Sequence, residues 1–221
     1  MSTLLELRAE VDRIIDDDSY GTSQLTDYLN QSVKDIAGGV PIVWPNGNTT
    51  VLEPLEELYD IDTVTATSSA YRVALPSDYQ REVVFVAHED GYELTRYTNM
   101  GDFRRSYPLL DQSGSVVAVC VKGGYLYYQG KPSSDTTLTV HFFREPTAMS
   151  DNDDTPDGIP TRFHRTLIVY DTCLRIFREL YEEDVSKQGV IQAYERKRMT
   201  ELVALASSQE ADPGSVVFRC R

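Results

Sequence analysis

Apolar residues near the start of the chain recur at intervals of three and four positions. The first run is Leu4, Leu7, Val11, Ile14 and Ile15, and the second is Leu25, Tyr28, Leu29, Val33 and Ile36. This spacing predicts two amphipathic helices. Three carboxylates at Asp16–Asp18 oppose the helix dipole and end the first helix, and Gly38-Gly39 ends the second. Because the link is short, the two helices should form an antiparallel hairpin.

The helical spacing returns after about residue 160. One stripe is Phe163, Leu167, Tyr170, Leu174, Phe177 and Tyr181, and another is Val190, Ile191, Tyr194, Leu202 and Leu205. They predict helices from about Thr161 to Tyr181 and from about Ser186 to Ala206. The segment that follows, Ser-Ser-Gln-Glu-Ala-Asp-Pro-Gly, is unsuited to a helix and predicts an extended tail over 207–221.

The middle of the chain has the pattern of β-strands rather than helices. Its strand-like segments are Asp62–Ala66, Tyr71–Leu75, Arg81–Ala87, Tyr92–Arg96, Ser115–Val121, Tyr125–Gln129 and Thr136–Arg144. They are rich in β-branched and aromatic residues and are separated by turn residues. About seven short antiparallel strands of this kind predict a sandwich or a barrel.

The order of these elements predicts an α+β fold. Residues 1–39 and 160–206 would form a four-helix bundle from both chain ends, since neither helix pair is long enough to be stable alone. A β domain over 40–146 would be inserted between them, followed by an acidic linker over 147–159. An extended C-terminal tail over 207–221 would complete the chain.

The net charge of the chain is -14, from 35 acidic and 21 basic side chains. Such acidity argues against a protein that recognises DNA or RNA, because such proteins need a basic face to bind the phosphates. The excess lies before Pro160, because residues 1–159 carry 26 acidic and 11 basic side chains. Glu53–Asp62 and Glu145–Asp157 contain neither Lys nor Arg. These stretches are either solvated loops or a surface that repels nucleic acid or binds cations.

The remaining sequence signals disfavour a membrane protein and an enzyme. The longest uncharged apolar run, Ser113–Val121, is too short to cross a bilayer, and the N-terminus lacks the pattern of a signal peptide. The three cysteines and three histidines are scattered and form no CxxC pair. We therefore expect a soluble protein made in a cytoplasm, with no catalytic residues, metal or cofactor.

Two features suggest contact surfaces. The first is a group of tyrosines in the β region: Tyr92, Tyr97, Tyr107, Tyr125, Tyr127 and Tyr128. They fit either a protein or carbohydrate contact, or the ordinary composition of strands. The second is the apolar and cationic end of the tail, formed by Val216, Val217, Phe218, Arg219 and Arg221. This end suits docking onto another subunit, or a strand that frays or folds back.

Several stretches in order resemble one protein family. They are the two opening helices with Asp-Asp-Ser-Tyr between them, Tyr71–Tyr79, Gly124–Tyr128 continuing through Leu138–Pro146, and Met149–Pro160 followed by Phe163-His164-Arg165. Together they resemble the head–tail adaptor (connector) proteins of tailed bacteriophages, of the type called tail tubular protein A. The resemblance covers most of the chain.

The resemblance implies a structural virion protein at the head–tail interface. It implies a homo-oligomeric ring, usually of twelve subunits, below the portal protein and above a tail nozzle or tail tube protein. DNA would pass through the ring without specific binding. The tail residues would reach the portal, and the acids Asp151, Asp153, Asp154 and Asp157 are candidates for lining the channel. The alternative function is a tail-associated module whose β domain binds a tail fibre or a host glycan.

Overall fold

The computed structural model describes residues 2–17, 19–43, 49–181 and 184–210. Their contacts divide the chain into two units. The described residues of Met1–Glu57 and Pro146–Arg221 form the first unit, and Leu58–Glu145 forms the second. The first is mainly helical and the second mainly strand, so the predicted α+β class is confirmed.

Five α-helices occur within the described residues: α1 (Leu4–Ile15), α2 (Thr22–Ala37), α3 (Met100–Ser106), α4 (Val169–Leu180) and α5 (Gln188–Glu210). The strands are β1 (Pro41–Val43), β2 (Thr49–Val51), β3 (Tyr59–Ala66), β4 (Arg72–Ala74), β5 (Tyr79–His88), β6 (Thr95–Tyr97), β7 (Ala118–Lys122), β8 (Tyr125–Tyr128) and β9 (Thr136–Arg144). The helix α3 and the β1–β2 hairpin were not predicted from the sequence.

Helix α1 forms where the apolar pattern predicts it. Thr3 Oγ1 accepts a hydrogen bond from the Glu6 backbone N–H at 3.4 Å and caps the first turn. The residues Leu4, Leu7, Val11 and Ile15 are buried. Asp16 adopts a left-handed backbone conformation (φ 50°) and ends the helix. Helix α2 likewise runs up to Gly38, as its pattern predicts.

Helix α4 contacts α1, α2 and α5 and is central to the first unit. The predicted helical segment from Thr161 begins with a 3₁₀ turn, Thr161–Phe163, and a π-helical turn, His164–Ile168. A π turn holds one more residue than an α turn, so neighbouring apolar residues can face the same side. Both Leu167 and Ile168 are fully buried here.

The strands of the second unit form two sheets. One has three strands in the order β3-β9-β5, and the other has four in the order β4-β8-β7-β6. Side chains from both sheets form one buried cluster, including Val140 and Phe142 of β9 and Leu126 and Tyr128 of β8. The described strands do not close into a barrel.

Two sequence-based predictions about the elements are wrong. Strands β6 and β7 pair in parallel rather than antiparallel, because the chain between them makes a crossover that includes α3. The segment from Ser207 does not leave the helix at once, since α5 continues to Glu210. The Ser208 hydroxyl donates to the Leu205 carbonyl at 2.7 Å, which satisfies the serine within the helix. Residues 211–221 lie outside the described residues.

Candidate functional site

The acidic segment between Pro146 and Pro160 packs on the helices as a loop. The Leu4 backbone N–H donates to the Asp154 carbonyl at 2.7 Å, and the Leu5 N–H donates to the Asn152 carbonyl at 3.1 Å. The Arg8 side chain also donates to the Asn152 side chain. The first N–H groups of a helix have no partner within it. The loop therefore satisfies donors at the start of α1.

Helix α2 holds the same loop through one side chain. The Asn30 amide donates to the Met149 carbonyl at 2.9 Å, and its oxygen accepts from the Met149 N–H at 2.9 Å. Met149 is 3% exposed, so these two bonds pair polar backbone groups of a buried residue. The segment predicted as a linker is thus attached to two helices.

Two of the loop's carboxylates shape the loop itself. Asp154 Oδ2 accepts from the backbone N–H groups of Ser150 at 2.7 Å and Asp151 at 2.8 Å. These hydrogen bonds favour the ionised carboxylate and lower the pKa of Asp154. Asp157 Oδ2 accepts from the Thr147 N–H at 2.8 Å.

The far end of the loop is joined to the π-helical turn by a buried histidine. His164 Nε2 lies 2.7 Å from the Ile159 carbonyl, a geometry in which the ring N–H donates to the oxygen. The ring is 2% exposed. Burial disfavours the charged imidazolium and lowers the pKa of His164. His164 therefore has a structural place in the fold.

An ion-pair cluster joins three helices of the first unit. Asp171 of α4 accepts from Arg175 Nε at 2.7 Å and from Arg198 of α5. Arg175 also donates to Asp35 of α2 at 2.6 Å. Burial alone would raise the pKa of Asp171, but the charges of Arg198 and Arg175 outweigh it and lower that pKa. The cluster fixes α2, α4 and α5 to one another.

The tyrosines of the second unit have different environments. Tyr128 is fully buried, and Tyr97 and Tyr107 pack around Phe103 of α3. Tyr92 stacks on His88, with ring centroids 4.5 Å apart. These four tyrosines therefore contribute to packing within the unit.

A surface patch remains around the other two tyrosines. We name the residues Tyr71, Arg72, Tyr125 and Tyr127 the tyrosine–arginine patch. The Arg72 guanidinium lies 4.6 Å from the Tyr125 ring centroid and donates to the Tyr127 hydroxyl at 3.1 Å. Tyr71 and Tyr125 are 36% and 39% exposed. Sequence reasoning missed Tyr71 and Arg72, although their strand register opposite β8 could have suggested them.

Comparison with known proteins bears on the whole chain. The model of the SU10 adaptor protein family matches residues 2–217, a range that covers all of the second unit and most of the first. The chain belongs to the SU10 adaptor protein family. No curated protein matches the chain. This membership confirms the resemblance to bacteriophage adaptor proteins, whereas the likeness to tail tubular protein A stays a prediction.

The residues that the sequence predicted as sites fall into two groups. The four candidate channel acids lie in one loop, with Asp151 and Asp153 exposed and Asp154 and Asp157 half-buried. Their proposed role in a channel stays a prediction. The candidate docking residues Val216, Val217, Phe218, Arg219 and Arg221 lie outside the described residues.

In residues 2–17, 19–43, 49–181 and 184–210, no group of three His, Cys, Asp or Glu side chains is placed to hold a metal ion. Within the same ranges, no helix combines the length and the apolar character needed to cross a membrane.

Proposed function

We propose that the protein is a structural adaptor of the virion that forms a ring below the portal and connects the capsid to the tail. The match of the SU10 adaptor family to residues 2–217 carries this proposal. In it, the ring has twelve subunits and contacts the portal on one side and a tail nozzle or tail tube protein on the other. The protein acts as a structural component rather than an enzyme, and needs no cofactor.

In this proposal, the first unit is the rigid part of the ring. Its helices α1, α2, α4 and α5 act as one four-helix bundle, and the buried ion pairs of Asp171 support such rigidity. A fixed bundle would keep neighbouring subunits in register while DNA passes.

The charge of the loop supports passage of DNA without binding. Residues 146–160 carry four acidic and no basic side chains, and Asp151 and Asp153 are exposed. Proteins hold DNA mainly through Lys and Arg contacts to phosphates. A channel lined by such loops would repel the DNA backbone rather than bind it.

Electron microscopy of the full chain mixed with its candidate portal tests the proposal. We expect symmetric rings that cap the portal. A chain that lacks residues 211–221 should bind the portal at least tenfold more weakly, because that segment contains the apolar and cationic docking residues. The full chain remaining unbound at micromolar concentrations would contradict the proposal, and equal binding by the shortened chain would remove the tail's role.

The alternative is a binding module that contacts a tail fibre or a host glycan through the second unit. The exposed Tyr125 ring and the Arg72 stacked on it favour this alternative. It predicts that particles in which the second unit is replaced still assemble and retain DNA, but no longer attach to host cells. Loss of head–tail joining in such particles would favour the adaptor.

A further inference from the structure

Three residues of the tyrosine–arginine patch, Arg72, Tyr125 and Tyr127, lie on one face of the four-stranded sheet. Arg72 of β4 is the register partner of Tyr127, and Lys122 of β7 is the register partner of Tyr125. Cross-strand partners point to the same face, as do residues two apart on one strand. Arg72, Lys122, Tyr125 and Tyr127 therefore share a face, and all but the half-buried Tyr127 are exposed.

Helix α3 covers only one part of that face. Phe103 of α3 packs with Ala118 and Cys120 of β7, and Tyr127 packs against this cluster from the side. The part of the face that α3 covers ends at Tyr127. The exposed Tyr125 ring and the cations Arg72 and Lys122 lie outside it. The Tyr127 ring of the patch is therefore held in place, because it packs against the buried cluster beneath α3.

Two tyrosines hold the Arg72 guanidinium of the patch in place. Tyr127 accepts one of its N–H groups at 3.1 Å, and the Tyr125 ring lies under the guanidinium at 4.6 Å. Arginine has five N–H donors in a planar fork that matches a carboxylate. An arginine that is already oriented loses less conformational entropy when it binds.

The strands that carry the patch have a charge opposite to that of the chain. The four strands β4, β6, β7 and β8 contain three basic side chains, Arg72, Arg96 and Lys122, and no acidic one. The first unit carries 24 acidic and 13 basic side chains, a net charge of -11. Copies with this charge repel one another unless a cationic surface of one meets an acidic surface of the next.

We propose that the tyrosine–arginine patch, with Lys122, docks onto an acidic surface of a second copy of this chain. This inference rests on the proposed function, which requires copies to associate. Glu53, Glu56 and Glu57 form the acidic surface, because all three are exposed in a stretch without Lys or Arg. In the other such stretch, Asp151 and Asp153 are exposed but line the channel in the proposed function, and Asp154 and Asp157 bind backbone N–H groups of their own loop.

Charge reversal in the full chain tests this docking. Arg72→Glu should reduce the formation of rings on the portal at least tenfold, and Lys122→Glu should act in the same direction. Arg81→Glu is the matched control, since Arg81 is an exposed arginine of the same unit outside the patch. Adding Glu56→Arg and Glu57→Arg to a chain with both Arg72→Glu and Lys122→Glu should restore ring formation, because two charges on each surface are then exchanged.

A photocrosslinking amino acid in place of Tyr125 identifies the partner directly. In assembled rings, we expect crosslinks to the peptide that contains Glu53–Glu57 of a second copy. Crosslinks to the portal, to a glycan or to another part of the chain would overturn the inference, as would normal rings from Arg72→Glu and Lys122→Glu. Thermal unfolding monitored by circular dichroism must show that each variant is folded. If Arg72→Glu does not fold, Lys122→Glu alone tests the docking.

Failure of the proposed function gives a different result from failure of this inference. If the wild-type chain forms no ring with the portal, the proposed function fails. Sedimentation of the chain alone then tests the docking. Self-association that Arg72→Glu abolishes and Arg81→Glu does not would support the inference, whereas a strictly monomeric chain up to high micromolar concentrations would overturn it.

Discussion

Asp171 is the residue at which two helices of the first unit are joined by charge. Its carboxylate is 4% exposed and faces Arg175 of its own helix and Arg198 of α5. A buried carboxylate of this kind is stable only while both partners remain, because each ion has lost its water. Through Arg175 the interaction extends to Asp35 of α2.

Replacing the carboxylate by an amide should therefore destabilise the protein strongly. Asp171→Asn keeps the shape of the side chain but leaves Arg175 and Arg198 without their counter-ion. We expect a loss of about 3 kcal/mol in the free energy of unfolding, measured with urea. Glu10→Gln is the control, since it removes an exposed pair with Arg13 and should cost less than about 1 kcal/mol. Equal losses in both variants would contradict this view of the cluster.

The same variant should differ from the wild type less at low pH. The pKa of Asp171 is lower in the folded protein than its ordinary value. The carboxylate therefore adds stability above its unfolded pKa of about 4, and this contribution is lost as the pH falls through the folded pKa. Unfolding of wild type and Asp171→Asn between pH 7 and pH 3 should show a shrinking gap, and a constant gap would contradict the ionic explanation.

The sequence reveals the acidity of the chain but not the structural role of each acidic residue. Asp151, Asp154 and Asp171 count equally toward the net charge. In the fold, Asp151 is exposed, Asp154 binds two backbone N–H groups and Asp171 is buried between arginines. These differences arise from contacts between distant parts of the chain, which spacing and composition do not report.

At the scale of elements, the loop from Pro146 to Pro160 is attached to two helices by hydrogen bonds. Two of its carbonyls accept hydrogen bonds from the start of α1, and it is bonded to α2 through Asn30. Its apolar residues Met149 and Ile159 are buried, at 3% and 5% exposure. A segment rich in acids and prolines thus becomes ordered because its ends and middle have partners on the helices.

Removing the Asn30 side chain should weaken the attachment of this loop to α2. Asn30→Ala deletes two hydrogen bonds and leaves the Met149 backbone groups buried without a partner, which should cost about 1–3 kcal/mol. Gln31→Ala is the control on the same helix, because this exposed side chain donates a hydrogen bond to Asp35 rather than to the loop. Hydrogen exchange should show faster exchange of the Met149 amide in Asn30→Ala only. Unchanged protection of that amide would show that Asn30 does not hold the loop.

Elements with a strong apolar period were predictable and those without one were not. Helices α1 and α2 follow the stripes of the sequence. Helix α3 has one buried residue, Phe103, and its seven residues contain no repeat that would reveal a helix. The parallel pairing of β6 with β7 depends on this hidden crossover. The sequence therefore predicted the class of the second unit but not its topology.

At the scale of the whole molecule, the chain enters and leaves the second unit at neighbouring positions. Strands β3 and β9 are antiparallel, and Tyr59 near the start of the unit is the register partner of Phe143 near its end. Register partners have Cα atoms about 5 Å apart. The first unit therefore needs only a short connection where the second unit is inserted. The second unit has a buried cluster of its own, and α1, α2 and α4 of the first unit carry buried apolar residues.

This arrangement predicts that the first unit folds without the second. Replacing Leu58–Glu145 by a short Gly/Ser linker of about four residues should leave a helical protein, because 57 and 76 residues remain in its two segments. Circular dichroism should show a helical spectrum and one cooperative unfolding transition. Leu58–Glu145 expressed alone is the matched comparison and should give a β spectrum. An aggregated or unfolded first unit would show that the helices depend on the inserted strands, and portal binding by the folded one would assign that contact to the helices.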